Sequence, residues 1–511
     1  MRYSLFCVLA ILGTILPAQS ADERPNMLVI LTDDQRYDAM GCMDHPFLET
    51  PHMDRIAKEG VHFKNAVVTT SLCSPSRASI LTGMYVHNHR VVDNYNPIPE
   101  GLTYFPKYLQ ESGYETAFVG KWHMGGMIDH QQPGFDYWVS FKGQGVYFAD
   151  PAEAKVKGRY VPQVSREGLN DNGKRVEQKG YITDLLTDYA GDWMKERDGE
   201  KPWLMYLSHK AVHADFLPPN RHAYCYDKET FERPKTWFDM PDAFRDVPMW
   251  VKNQRNSRHG VEFAYYTGLD LETYYKRYCE TIRAIDDSTG ALMKLLEENG
   301  ELDNTIVLYL SDNGFLFGEQ GLIDKRCAYD ASVRIPMMLR YPKAVKAGQE
   351  IKQVVANIDV GPTMLDFAGL ETPKHMDGRS MKPLITGESA DWRDYLLYEY
   401  YWERNYPQTP TMHAVLGERY KYVRYHGIWD VDQLFDLESD PEERLNLIND
   451  PKHAETVTKL NTRLFELLRE TNGTEMPILE DRGTKFLHRK TGGTKGSDFP
   501  NWFYREPDKA E

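Results

Sequence analysis

Four short apolar runs along this chain stop abruptly at polar residues. Asn26–Thr32 leads straight into Asp33-Asp34, and Thr305–Ser311 into Asp312-Asn313-Gly314; the other two are residues 115–119 and Trp203–Ser208. Continuous runs of this length, without alternation, predict strands buried on both faces of a parallel sheet. Between them the apolar spacing is helical. Residues 50–59 read as a helix with Thr50 as cap and Pro51 in the first turn. Residues 104–111, 182–197 and 272–298 follow, the last with Tyr275, Tyr278, Cys279, Ile282, Ile285 and Leu292 on one face. Alternating strands and helices predict an α/β fold, a large sheet with helices on both faces. Ligands of such sheets lie beyond the carboxyl ends of the strands. That rule brings Asp33, Asp34, Asp312 and Asn313 to one edge, although they are far apart in sequence.

Residues 221–268 are rich in Pro, Trp, Arg and Asp without periodicity, and read as an insertion that shapes a substrate pocket. Residues 359–368 form the last helix of the main unit. Past Pro383 the pattern changes to short strands at 394–400, 413–416 and 420–425, then a helix at 454–471. This predicts a catalytic domain over residues 25–385 and a small C-terminal α+β subdomain with a tail over 386–511. The stretch from 480 on, rich in Gly, Lys and Pro, reads as loop.

Composition adds three constraints. Apolar and charged fractions of 41% and 27% are those of a globular chain. A formal charge of −15 excludes nucleic acid as a natural partner, and means that an anionic substrate must be drawn by a local basic pocket. Arg2, the apolar residues 5–16 and Ala18-Gln19-Ser20 have the layout of a secretory signal over residues 1–20, predicting an exported, periplasmic or secreted protein. No later run approaches the ~20 apolar residues of a permanent membrane span. Of six cysteines, Cys7 lies in the signal and none forms a CxxC pair, which argues against zinc. Pairing among Cys42, Cys225, Cys279 and Cys327 stays open.

The candidate chemistry is concentrated in a few segments. Three carboxylates and an amide oxygen (Asp33, Asp34, Asp312, Asn313) are hard ligands suited to Ca²⁺ or Mg²⁺, and Ca²⁺ tolerates their irregular geometry better. Cys73-Ser74-Pro75-Ser76-Arg77, followed by Ala78-Ser79-Ile80-Leu81-Thr82-Gly83, resembles the signature by which sulfatases of the alkaline phosphatase superfamily have one cysteine oxidised to Cα-formylglycine (3-oxoalanine). Gly120-Lys121-Trp122-His123, Ser208-His209-Lys210-Ala211-Val212-His213 and Gly318 to Arg326 are similar to further sulfatase segments, as are Ser332-Val333-Arg334-Ile335-Pro336 and Arg340-Tyr341-Pro342. The resemblance runs in matching order from about residue 25 to 450.

The resemblance implies an alkaline-phosphatase-like mixed sheet and a division of labour. Hydrated formylglycine at Cys73 attacks sulfur with one hydroxyl, and the second later expels sulfate. One Ca²⁺ is held by Asp33, Asp34, Asp312, Asn313 and the residue at 73. Arg77 and Lys121 stabilise the hydrated aldehyde, His123 acts as base on its remaining hydroxyl, and Lys325 holds sulfate oxygens. His213 protonates the departing alcohol, although Val212 stands where the family usually has Pro. His209 reads as a core residue, and Arg326 and Arg334 as structural. A formylglycine-generating or other maturation enzyme is an implied partner. The segment around Trp402 and His413 looks closest to N-acetylglucosamine-6-sulfatase-like carbohydrate sulfatases, acting at a chain end. Trp250, Arg255, His259 and His413 are candidate contacts for a sulfated saccharide. Three rivals are weighed against this: a two-zinc phosphatase of the same superfamily, a formylglycine-bearing phosphonate monoester hydrolase, and an inactive glycan-binding relative.

Overall fold

A computed structural model of the chain describes residues 24–156, 167–197, 199–237, 246–254, 257, 259–261, 270–388 and 391–477. The expected signal, Arg255 and the tail from 480 lie outside the described residues. In chain order the elements used below are β1 (Asn26–Thr32), α1 (Pro51–Glu59), β2 (Val61–Phe63), α2 (Cys73–Thr82), α3 (Phe105–Glu111), β3 (Glu115–Lys121), β4 (Tyr137–Phe141), β5 (Leu169–Asp171), β6 (Lys174–Val176), α4 (Ile182–Glu196) and β7 (Trp203–Ser208). There follow α5 (Leu271–Glu298), β8 (Thr305–Ser311), β9 (Met337–Arg340), β10 (Gln349–Ile351), α6 (Val360–Phe367), β11 (Tyr395–Tyr400), β12 (Thr411–Gly417), β13 (Tyr420–His426), β14 (Gln433–Asp436) and α7 (Ala454–Glu470).

A ten-stranded mixed sheet runs β10-β2-β9-β8-β1-β7-β3-β4-β5-β6. Its centre is parallel: β1 pairs with β7 and β8, and β3 with β7 and β4. Every residue of β1, β7 and β8 is buried, which is why these strands read as unbroken apolar runs. Side chains alternate across the sheet. Met27, Val29 and Leu31 face a core shared with α2, α3 and α6; Leu28 and Ile30 face one shared with α1, α4 and α5. Thr32 is level with Ser311, and Leu31 and Gly120 are both level with Ser208. The residues just past those positions therefore emerge side by side.

The C-terminal sheet β11-β12-β13-β14 is antiparallel throughout. It and α7 join the first core: Leu396, Val415, Tyr422, Leu434 and Leu464 are continuous with Met27 and Leu81. No disulfide joins the five described cysteines, which are free thiols in separate segments of the chain. Among the described residues no helix is long and apolar enough to cross a membrane.

Candidate active site

Six chain segments meet at the carboxyl edge of the central strands. Cys73 is the first residue of α2, at the positive end of the helix, with Leu72 as the extended residue before it. Pro75 fits the first turn, where its missing N–H costs nothing. All ten residues of α2 are buried, so the helix has no polar face for periodicity to reveal. Asn357 pins it: its Oδ1 accepts from Thr69 N at 3.0 Å and its Nδ2 donates to Ser76 Oγ at 3.0 Å.

Cys73 Sγ, which marks where the oxygens of a hydrated formylglycine would stand, is 3.6 Å from Asp33 Oδ1 and 3.2 Å from Lys325 Nζ. Burial, then the charge of Asp33, pushes its thiol up to about 12. As a thiol, residue 73 is a poor nucleophile here. One carboxylate oxygen each from Asp33, Asp34 and Asp312 lie within 4.8 Å of one another. Arg77 ties two of them: its guanidinium reaches Asp312 Oδ2 at 2.8 Å and Asp33 Oδ2 at 3.1 Å, and also donates to Ser208 Oγ at 2.6 Å and Lys121 O at 2.8 Å. Lys121 pairs with Asp33 and donates to Gln144 Oε1; Lys325 pairs with Asp34.

Burial alone would raise Asp33, but Lys121, Arg77, His213 and Lys325 together hold it well below the usual carboxylate range. Asp34 is the opposite case: burial lifts it to about 7 despite Lys325. Asp34 Oδ2 and Asn313 Oδ1 are buried with no hydrogen-bond partner among the described residues. Two orphaned oxygens beside three clustered carboxylates are the donor set of a hard divalent cation, and these residues fit Ca²⁺.

The two histidines are set by their backbones. Gly120, at φ 123°, has no room for a side chain, since a Cβ there would lie 1.9 Å from Ser208 O. Trp122 is locked between Tyr104, Phe118 and Trp138, with ring centres 5.3 to 5.5 Å away. His123 then turns back at φ 54°, its Nδ1 3.4 Å from Ser74 Oγ. A ring nitrogen of His213, an oxygen of Asp33 and Cys73 Sγ lie within 4.8 Å of one another. His213 Nδ1 is 2.6 Å from Ala214 O, which leaves Nε2 to act. Burial, then Lys121, holds both imidazoles well below their ordinary range.

All the expected catalytic and metal residues thus meet at one point. The three described sugar contacts, Trp250, His259 and His413, do not join them as exposed platforms. His413 is corrected: it is buried in the C-terminal sheet, its Nδ1 3.0 Å from His426 Nε2 and its Nε2 3.9 Å from Glu399. Its neighbours in β11 and β13 close around it. Trp250 and His259 instead line a narrow cavity beside Lys325 and Arg326. Trp250 packs edge-on against Tyr425, and His259 stacks on Tyr406 and pairs with Asp324 at 3.2 Å, and both are buried. Arg326 is structural, joining Asp324 and Glu403, and Arg334 pairs with Asp330. His209 is a core residue 3.2 Å from Ser288 Oγ. Gln144, Ser208 and Lys210 escaped sequence reasoning. Ser208 and Lys210 follow the strand-end rule; Gln144 sits in a loop without a motif.

Comparison with known proteins agrees with this geometry. The sulfatase family model matches residues 25–370, and a model described as the C-terminal part of N-sulphoglucosamine sulphohydrolase matches 318–470. The chain is 33% identical to an N-acetylglucosamine-6-O-sulfatase of Bacteroides thetaiotaomicron, over 89% of this chain and 87% of the relative. It is 29% identical to the N-acetylglucosamine-6-sulfatase of Homo sapiens, over 93% and 90%. A solved structure in complex with its substrate D-glucosamine-2-N,6-O-disulfate superposes with a TM-score of 0.79 at 30% identity, covering 89% of this chain and 99% of the other. The chain belongs to the sulfatase family, whose chemistry is the hydrolysis of sulfuric esters, and has the alkaline-phosphatase-like fold.

Proposed function

We propose that this protein hydrolyses a sulfate ester on a carbohydrate, with 6-O-sulfated N-acetylglucosamine or a related hexosamine at a chain end as its substrate. The observation that carries the reaction type is Cys73 at the start of α2, flanked by Lys325 and Asp33 within 3.2 and 3.6 Å. The substrate class is supported by the relatives named as N-acetylglucosamine-6-sulfatases and by the neighbour bound to a glucosamine disulfate. An amino-terminal export signal fits a polymer met outside the cytoplasm.

Residue 73, oxidised by a maturation enzyme and hydrated, supplies a geminal diol, and Ca²⁺ held by Asp33, Asp34, Asp312 and Asn313 supplies a Lewis acid beside it. The chain's own residues do the rest. Lys325 and Lys121 converge on Asp34 and Asp33 and offer cationic donors where negative charge gathers on sulfate oxygens. Arg77 bridges Asp33 and Asp312 and offsets the repulsion between them. His213, with Nδ1–H turned to Ala214 O, directs Nε2 outward; in its imidazolium form, favoured once the anionic sulfate enters, Nε2–H protonates the sugar oxygen as the bond to sulfur breaks. His123 stands on the Ser74 side of residue 73 and removes the proton of its remaining hydroxyl.

Mass spectrometry of the peptide holding Cys73, with released-sulfate assays on 6-, 4-, 3- and 2-O-sulfated monosaccharides, tests the proposal. The aldehyde mass and preference for the 6-sulfate are expected. An unmodified thiol in active enzyme overturns the mechanism, and preference for a 2- or 4-sulfate overturns the substrate. Turnover of phosphonate monoesters with none on sugar sulfates transfers the site to that other reaction.

A further inference from the structure

Lys210 lies on the turn between β7 and His213, and among the described residues its ammonium has no counter-ion in contact. The residue is 3% exposed, yet among the described residues its Nζ makes no hydrogen bond and no ion pair. Its Nζ lies over the face of Tyr147, 4.5 Å from the ring centre. A buried ammonium without a partner is costly and ordinarily would be paired or neutral. Burial has moved Lys210 down to about 8, the charge of Asp215 opposing the shift and that of Lys121 adding to it.

Its surroundings place that charge at the active site. Asp33 and Asp34 both feel it, and it is one of the charges acting on His213. The turn is rigid: Asp33 N donates to Ala211 O at 3.0 Å, Val212 N to Asp33 O at 2.7 Å, and His213 N to Lys210 O at 3.0 Å. Tyr147, whose face carries Lys210, donates its hydroxyl to His213 O at 2.7 Å. One aromatic ring thus holds both the proton donor of the leaving group and the uncompensated cation. Lys121 and Lys325, by contrast, already have carboxylate partners. Asp215, four residues before Pro219 on the same turn, attracts Lys210 without contacting it.

We propose that Lys210 is a specificity residue that binds a second anionic group on the leaving sugar, a sulfamate of the same ring or a carboxylate of the adjoining one. The inference rests on the carbohydrate sulfatase reading. The same cation that is expensive when bare becomes a strong donor when a substrate anion meets it in a site shielded from water. A neutral sugar leaves the cost standing.

The test uses the matured full-length enzyme and three substrates: N-acetylglucosamine 6-sulfate, glucosamine 2-N,6-O-disulfate, and a uronate-linked disaccharide carrying N-acetylglucosamine 6-sulfate. The wild type should favour one doubly anionic substrate over the first, mainly through KM, and the favoured one identifies the source of the anion. Lys210→Met should erase that preference by about ten- to a hundredfold, the worth of one charge-assisted contact. Lys210→Arg, which keeps the charge, should retain part of it. No preference in the wild type, an equal loss on all three substrates, or variants that fail to fold each overturn the inference. A loss confined to kcat on sugar sulfates and absent on an aryl sulfate also does, because it assigns Lys210 to proton transfer. Absence of any sugar sulfate turnover by the wild type removes the carbohydrate reading itself, whereas turnover without preference removes only Lys210's role.

Discussion

Arg77 serves two purposes through one planar group. Its forked donors compensate Asp33 and Asp312 and brace Ser208 and the Lys121 carbonyl, so position and charge are supplied together. Lysine carries the charge but not the fork. Arg77→Lys should therefore stay folded and lose about 10²–10³ in kcat/KM, while Arg77→Ala strips the buried Asp312 of its guanidinium, leaves Asp33 to Lys121 alone, and should cost about 3–5 kcal/mol of stability. Steady-state kinetics with thermal melting of both variants checks this; near wild-type turnover by Arg77→Lys would refute it. Asp34 supports a second expectation. Burial holds it near 7, so a cation must displace a proton there, and binding weakens as pH falls through that value. Added Ca²⁺ should raise the melting temperature more at about pH 8 than at about pH 5.5, where Asp34 retains its proton. Equal shifts at both values would show that Asp34 is not a ligand.

Strands β3 and β7 meet so closely at Gly120 that their register depends on the missing side chain. Gly120→Ala must push a methyl against Ser208 O, and its φ of 123° is hostile to any side chain. The strand ends should separate, moving Lys121 away from Asp33. Activity should fall far more than stability if only the strand ends part, and soluble yield should collapse if the sheet splits; wild-type turnover in a folded variant would contradict the register argument. These same elements show what periodicity reveals. β1, β7 and β8 were legible to the residue because buried parallel strands are continuous apolar runs. Helices α4 and α5 differ from expectation by a residue at an end, where caps and not core pattern decide. Thr50 flanks α1, but its hydroxyl bonds Asp54 and Gly41 in place of capping the helix. Strands β2, β9 and β10 are too short to announce themselves, and α2 is invisible because it is buried all round. The residues that gather at the strand ends were readable, since strand ends and motifs locate them. The sugar contacts were not, because exposure of a ring in an aperiodic segment depends on what packs against it, as Tyr425 does on Trp250 and His426 on His413.

The catalytic sheet and the C-terminal sheet share one apolar core, and a buried ion pair sits at their junction. His87 donates from Nδ1 to Glu399 at 2.9 Å and from Nε2 to Thr471 O at 2.9 Å, so the ring is doubly protonated. Burial opposes its charge, but Glu399 raises His87 above its ordinary 6.5, and Glu399 itself, despite burial, is lowered to about 2 by His87. The sign follows for each partner. The raised histidine stabilises fully below 6.5 and loses its contribution as pH climbs through its higher folded value; the lowered carboxylate contributes above 4.5 and fades as pH falls through about 2. The pair is therefore worth most between 4.5 and 6.5. His87→Gln should lower the melting temperature most within that window, by the equivalent of about 3–5 kcal/mol, and least in alkali. A gap between wild type and variant that widens with alkaline pH would contradict the pairing. Burial also imposes a schedule. Cys73 is wholly covered at the root of a helix that is itself covered, and the groups around it come from strands far apart in sequence. On the proposed formylglycine reading, another enzyme can oxidise that side chain only while the segment is still an open peptide, so maturation has a deadline set by folding. A short synthetic peptide spanning residues 69–83 should accept the oxidation that the finished, unmodified protein refuses. Chain that folds first is then permanently inert, however correct its shape, and the fraction of active molecules in a preparation records which of two competing clocks ran faster.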